Sequence, residues 1–378
     1  MGNHISGITP ALLEIWMRKY YFNTEIDIGS SGVENFSLAE LYQLVGLTQE
    51  EFDRIVFHDS SSLGSLGLRK AIASRWGNGD PEQVMVTHGS SEAIFLIMNG
   101  LLHPDDEVVV LDPCYQQLFS IAESIGCRLK PWRLQFKHNF VPNVEEAKSL
   151  INSRTRMVVV NFPHNPTGAS ITREQQEELI VAVAKVGAYL VWDAAFSDLT
   201  YGLSLPNPIL QYEHSISIGT LSKAYGLPGL RCGWCLASPD VLSHFIHMRD
   251  YITLHLSPLI ELIAQRVIEN ADNLINIRLQ QARMNLEILS EWIEQHQEFV
   301  DWVRPQGGVC AFLRLRNISD SEAFCQIMAN TYGVLLVPGI CFNHQDHVRL
   351  GFGCSTPHLH EGLNRLSKAL IAEQAERR

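Results

Sequence analysis

Residues 217–233 read SIGTLSKAYGLPGLRCG: an apolar run ends in two hydroxyls around one lysine, and a Gly/Pro-rich loop then delivers an arginine. A strand that stops there leaves Lys223 poorly hydrated at its carboxyl end. Desolvation lowers an amine's pKa, and a neutral amine attacks carbonyl carbon. The hydroxyls of Thr220 and Ser222 and the cation of Arg231 suit a phosphate held beside it. The stretch therefore predicts a Schiff-base lysine next to an anion site.

Outward from this stretch, short β-branched runs at 84–86, 108–111, 157–160, 189–192, 216–218 and 233–237 are separated by helical patterns such as 173–185. Nearly continuous apolar strands of this kind predict an α/β fold with a mostly parallel sheet covered on both faces. Ligands then gather at the carboxyl ends of the strands. An amphipathic helix is expected at 10–20 and another from about Ser65, with Leu68, Ile72 and Trp76 on one face. One long helix is expected over 259–295, where no Gly or Pro interrupts the pattern. Strands at 303–315, 334–337 and 348–352 with helices at 319–332 and 357–376 read as a smaller α+β domain. The expected organisation is an N-terminal segment, 1–45, joining the small domain, a large domain over 46–285, and a small C-terminal domain over 286–378.

The 378 residues are 46% apolar and 19% charged, with a formal charge of -12. That charge argues against nucleic acid and anionic membranes as partners, which need clustered Lys and Arg. The start, MGNHISGITPALLEIWMRKYYF, lacks the apolar core of a signal peptide, so a cytoplasmic location is expected. Of eight cysteines, Cys232 and Cys235 form the one CxxC, on a strand whose alternating side chains do not converge on a metal.

Four motifs carry further chemistry. Residues 84–93, VMVTHGSSEA, are a strand, a Gly/Ser turn and a helix start, so the amides of Ser90 and Ser91 can meet an anion. An ordinary Ser-capped helix reads the same way. In Asp112-Pro113-Cys114-Tyr115 a ring on a rigid turn can cover a flat heterocycle, although a lone tyrosine there is more often core. NFPHNPTG, 161–168, offers amide donors between two X-Pro bonds, and Asp193 ends the run AYLVWD as a carboxylate in need of a cation. In order, these residues place phosphate at Ser90, Ser91, Thr220, Ser222 and Arg231, a ring under Tyr115, its nitrogen on Asp193, its phenolic oxygen near Asn165, and an aldehyde on Lys223. Pyridoxal 5'-phosphate fits that set.

On these motifs the chain resembles the fold-type-I pyridoxal-phosphate enzymes of the class I/II aminotransferase family. The resemblance implies that Arg349, in HVRLGFG, grips the substrate α-carboxylate and that the enzyme is a homodimer. Two departures stand out. The family's tyrosine three residues after the aspartate is Phe196 here, and the loop before GSLGLR reads Phe57-His58-Asp59-Ser60, without the aromatic that often reaches the neighbour's phosphate. Losing a phenol hydrogen bond should alter the cofactor's proton affinity, which argues against ordinary transamination.

IDIGSSGVENFSLAEL, VVVNFPHNPTGAS, VWDAAFSDL, GTLSKAYGLPGLRCGWC and RDYITLHLSPLIE are similar to the capreomycidine synthase family, cyclases of hydroxylated L-arginine; these motifs do not decide the ring size, and the chain, rich in Ile, Asn and Gln, also resembles the guanitoxin-pathway cyclases that form L-enduracididine. This resemblance implies dehydration and ring closure by the guanidine, with 4-hydroxy-L-arginine the favoured substrate. The alternatives are 3-hydroxy-L-arginine or plain transamination of a basic amino acid. Guanidinium binding calls for carboxylates, and Glu34, Asp59 and Asp198 are the candidates, with Gly32 and Asn165 beside the substrate. His58 and His164 are candidate proton carriers.

Overall fold

The computed structural model describes residues 7–376 apart from Asn317; the first residues of the N-terminal reading lie outside that range. Thirteen strands occur among the described residues. β1 (Ile26–Asp27) is followed by the strands of a seven-stranded sheet: β2 (Val84–Thr87), β3 (Glu107–Asp112), β4 (Arg128–Arg133), β5 (Thr155–Asn161), β6 (Tyr189–Asp193), β7 (Ser215–Thr220) and β8 (Gly233–Leu236). Then come β9 (Val300–Asp301), β10 (Cys310–Leu315), β11 (Val334–Leu335), β12 (Val337–Pro338) and β13 (His347–Gly351).

The large sheet has the order β2-β8-β7-β6-β5-β3-β4, parallel except for β8, which runs antiparallel to both neighbours. Period-two alternation divides its side chains between two cores. Val109, Val158, Leu190 and Leu236 pack into one, and Val108, Met157, Val191 and Cys235 into the other. Burial on both faces explains why these strands read as unbroken apolar runs. β4, RLKPWR, escapes that reading because it is an edge strand with exposed arginines at both ends.

β9, β10, β13 and β12 form a separate antiparallel sheet, while β1 pairs in parallel with β11. The N-terminal chain is thus stitched to residues more than three hundred positions away, and Trp16 adds a hydrogen bond from Nε1 to the Leu336 carbonyl at 2.8 Å. The expected strand over 334–337 is two strands in two sheets, because β11 and β12 pair with different partners. The expected single helix over 259–295 is two, Pro258–Glu269 and Ala271–Gln295. At Asn270 the helical dihedrals break, and its side chain returns to the Arg266 carbonyl at 2.9 Å, offering the backbone an alternative to the helix ladder.

Candidate active site

The ends of β2, β3, β5, β6 and β7 and the loop after β1 open on one cavity of about 890 Å3. At one end lies an anion cradle built by the hairpin that joins β7 to β8. Thr220 Oγ1 accepts the Ser222 amide at 3.1 Å, and Arg231 Nη1 donates to Ser222 Oγ at 3.4 Å and to the Pro228 carbonyl at 2.9 Å. Arg231 adopts a left-handed backbone, φ 51°, a conformation non-glycine residues hold only when the surroundings impose it. Opposite it, Gly89 opens the helix Gly89–Leu101 with φ 70°, and a Cβ there would lie 2.6 Å from Arg231 Nη2. Only glycine permits both the turn and the approach of the guanidinium. Ser90 and Ser91 occupy the first turn, whose amides lack intrahelical acceptors.

Lys223 Nζ donates to Ser31 Oγ at 2.9 Å. Burial, helped by the charge of Arg349, holds this amine below its ordinary pKa. Asp193 is buried, and burial pushes its carboxyl up to about 6 despite the Ala195 amide, which donates to Oδ1 at 3.0 Å, and the nearby Lys223. It has no ion-pair partner among the described residues, so a cation placed against it would relieve a real desolvation cost.

Arg349 is 1% exposed, and it too has no carboxylate partner among the described residues. It reaches the cavity from β13, held by the Gly29 carbonyl at 2.9 Å from Nη2 and by Asn165 Oδ1 at 3.2 Å from Nη1. That bond leaves the Asn165 NH2 to donate elsewhere. The Asn165 amide is itself fixed on Asn161 Oδ1 at 2.9 Å, and Asn161 Nδ2 donates to the Asp193 carbonyl at 3.0 Å. Tyr115 lines the cavity with its hydroxyl donating to Glu14 at 3.0 Å, and the ring of Phe196 is buried at the cavity wall.

A model of the class I and II aminotransferases matches residues 58–366. The chain belongs to that family. Capreomycidine synthase of Streptomyces vinaceus is 42% identical over all of this chain and 98% of its own length. The arginine–pyruvate transaminase AruH of Pseudomonas aeruginosa is 25% identical over 82% of this chain and 81% of its own. Among solved structures, the PLP-dependent cyclase OrfR superposes with a TM-score of 0.92 at 38% identity, covering 97% of this chain and 98% of OrfR. A PLP-dependent aminotransferase from Streptococcus suis gives 0.91 at 30%, covering 98% and 99%.

This member of the aminotransferase family is a pyridoxal-phosphate enzyme with the fold-type-I architecture. Its residues fit the cofactor. A cradle of hydroxyls, helix-start amides and Arg231, a buried carboxylate with no cationic partner among the described residues and a desolvated lysine all open on one cavity. Ser90, Ser91, Ser222 and Arg231 would hold the phosphate, Thr220 would support Ser222, and Asp193 would meet the ring nitrogen.

The candidate substrate residues divide. Gly32, Glu34, Asn165 and Arg349 line the cavity, although Glu34 is already paired with Arg278 at 3.1 Å. Asp59 does not line it; its carboxylate is fully exposed and 3.2 Å from His255. His58 is exposed beside it. Asp198 faces a different cavity, of about 330 Å3, and accepts the Tyr225 hydroxyl at 2.8 Å. His164 is a structural residue: its ring bonds Thr167 Oγ1 at 2.7 Å and the Pro113 carbonyl at 2.9 Å, and burial lowers its pKa to about 3. It therefore stays neutral at physiological pH, with its one ring proton committed to the Pro113 carbonyl. Among the cavity residues that escaped the motif reading are Ser31, Asp27 and Glu14. Ser31 and Asp27 stand in the stretch IDIGSSGVENFSLAEL, which carries the family resemblance but no chemical motif of its own. Glu14 was hidden because a polar helix face reads as a solvent face.

Proposed function

We propose that this enzyme closes a ring on a hydroxylated L-arginine, and that its substrate is 4-hydroxy-L-arginine, giving the five-membered ring of L-enduracididine. The observation that carries the cyclase reading is the similarity to capreomycidine synthase over the full chain. The γ-hydroxy choice rests on the resemblance to the L-enduracididine-forming cyclases. The 42% identity to capreomycidine synthase favours a second reading, 3-hydroxy-L-arginine closing to the six-membered ring.

Bound pyridoxal phosphate supplies an electron sink for the pair released when the substrate Cα loses its proton. Arg349 holds the α-carboxylate in a two-donor grip. Lys223 Nζ, its proton affinity lowered by burial and its position set by Ser31, takes the Cα proton and can return it within the same cavity. The net reaction loses water: a C–O bond breaks, a guanidine nitrogen bonds to the chain carbon, and no electrons pass to a second substrate. Tethering of the guanidine makes closure effectively unimolecular. Phe196 leaves the ring oxygen one donor short, which separates this site from that of an ordinary transaminase.

The enzyme is incubated with 3-hydroxy- and 4-hydroxy-L-arginine separately in deuterated water without a keto acid. A five-membered product from the 4-hydroxy substrate, deuterated at Cα and Cβ, supports the proposal. A product only from the 3-hydroxy compound selects the second reading, and turnover only with added keto acid refutes cyclisation.

A cytoplasmic homodimer belongs to the same proposal. Val56 and Phe57 are 65% and 75% exposed, and Tyr251 is 93% exposed. Their loops are tied together by Arg249 on the Ser62 carbonyl and by His255 on Asp59. An apolar patch of this kind suits a subunit interface.

A further inference from the structure

Four acidic side chains besides Asp193 line the cavity, and three are engaged by other groups. Glu25 pairs with Arg365 at 2.8 Å, and Glu34 with Arg278 at 3.1 Å. Asp27 caps a turn, its Oδ1 accepting the amides of Gly29 and Ser30 at 2.9 Å each. Glu14 differs. It projects from the helix Leu12–Tyr20, its Oε1 accepts the Tyr115 hydroxyl at 3.0 Å, and no cation pairs with it among the described residues. Its field reaches the reacting centre, where it acts on the Lys223 amine. A half-buried carboxylate oriented by one hydrogen bond, with its second oxygen uncommitted, is a ready acceptor for a forked cation.

We propose that Glu14 receives the guanidinium of the substrate, with Tyr115 holding the carboxylate in place. The assignment rests on the hydroxyarginine reading above. Arg349 then fixes one end of the substrate and Glu14 the other, with Lys223 on the same cavity under the influence of both charges. Both substrate ends carry the charge that its partner lacks. Acidic amino acids are disfavoured by the same wall, because their side-chain carboxylate would meet Glu14 in place of a cation.

The test uses the cofactor-loaded enzyme and two ligands without the leaving hydroxyl, L-arginine and L-citrulline, which match in length and differ in charge. Binding is read from the change in the cofactor's visible absorbance. The wild type is expected to prefer arginine by on the order of 10- to 100-fold, the range for a hydrogen bond to a charged group. Glu14→Gln keeps the size and an acceptor for Tyr115, so it should bring that preference close to one and leave citrulline binding unchanged. Glu14→Asp should retain part of the preference, and it replaces the glutamine variant should that one fail to fold. Full preference in Glu14→Gln, or its loss in Asp27→Asn alone, overturns the proposal while the hydroxyarginine reading stands. Absence of any preference in the wild type overturns both.

Discussion

Lys223, Asp193 and Phe196 are the residues proposed to set the reactivity of this site, and each gives a separate measurement. Lys223→Ala should abolish turnover and the visible band of the bound cofactor; a retained band would contradict the assignment of the covalent lysine. Asp193 is a carboxyl whose folded pKa, about 6, stands above its ordinary value near 4. The native state of the cofactor-free protein therefore binds more protons than the unfolded chain between these values, and its stability falls as pH rises through that window. Two units correspond to about 3 kcal/mol. Denaturant midpoints of the cofactor-free protein should decline from pH 4 to pH 7, and Asp193→Asn should flatten the decline. Phe196→Tyr restores a donor for the ring oxygen, and a donor to the charged form lowers its proton affinity. The pH titration of the cofactor absorbance should move down by about one unit; an unchanged titration would remove Phe196 from the account of specificity.

At the level of elements, the first helix turn after β2 depends on a buried ion pair. Glu92 meets Arg249 at 3.2 Å, and Arg249 is fully buried. Burial raises the carboxyl of Glu92, but His88 and Arg249 outweigh it and bring it to about 2. Arg249→Met would leave the buried Glu92 charge with only His88 and Thr253 to hold it and should cost about 3 kcal/mol in unfolding free energy. The same helix carries Ser90 and Ser91, so cofactor affinity should fall with it. These elements were legible to different degrees. Strands buried on both faces show as unbroken apolar runs, and every one of the six expected runs in the large sheet is a strand. The edge strand β4 and the break at Asn270 were not legible, since neither breaks a pattern that local sequence can display. Both depend on what lies beside them in space.

For the molecule as a whole, the motifs that end strands converge without exception on the main cavity, because a parallel sheet brings its carboxyl ends to one side. Side chains chosen for chemical type alone fared less evenly. Asp59 and Asp198 are carboxylates near the motifs in sequence, yet the chain directs them away from the cavity. Glu14 enters it because β1 pairs with β11 and draws the N-terminal chain back over the sheet ends, a long-range pairing that no window around Glu14 reports. The apolar patch belongs to this scale too. Light scattering should give twice the chain mass, and Tyr251→Asp combined with Phe57→Asp should shift the protein towards the monomer; a wild-type monomer would remove the dimer from the proposal.

The hairpin between β7 and β8 is closed at its base by the pairing of Thr220 with Gly233, and Lys223, Ser222 and Arg231 all lie within it. Arg349 instead belongs to β13, in the other sheet. On the proposed assignment, cofactor retention and the grip on the substrate carboxylate are carried by separate frameworks. A substitution that loosens the packing between the two sheets should raise KM for the amino acid while the cofactor stays bound at its original affinity.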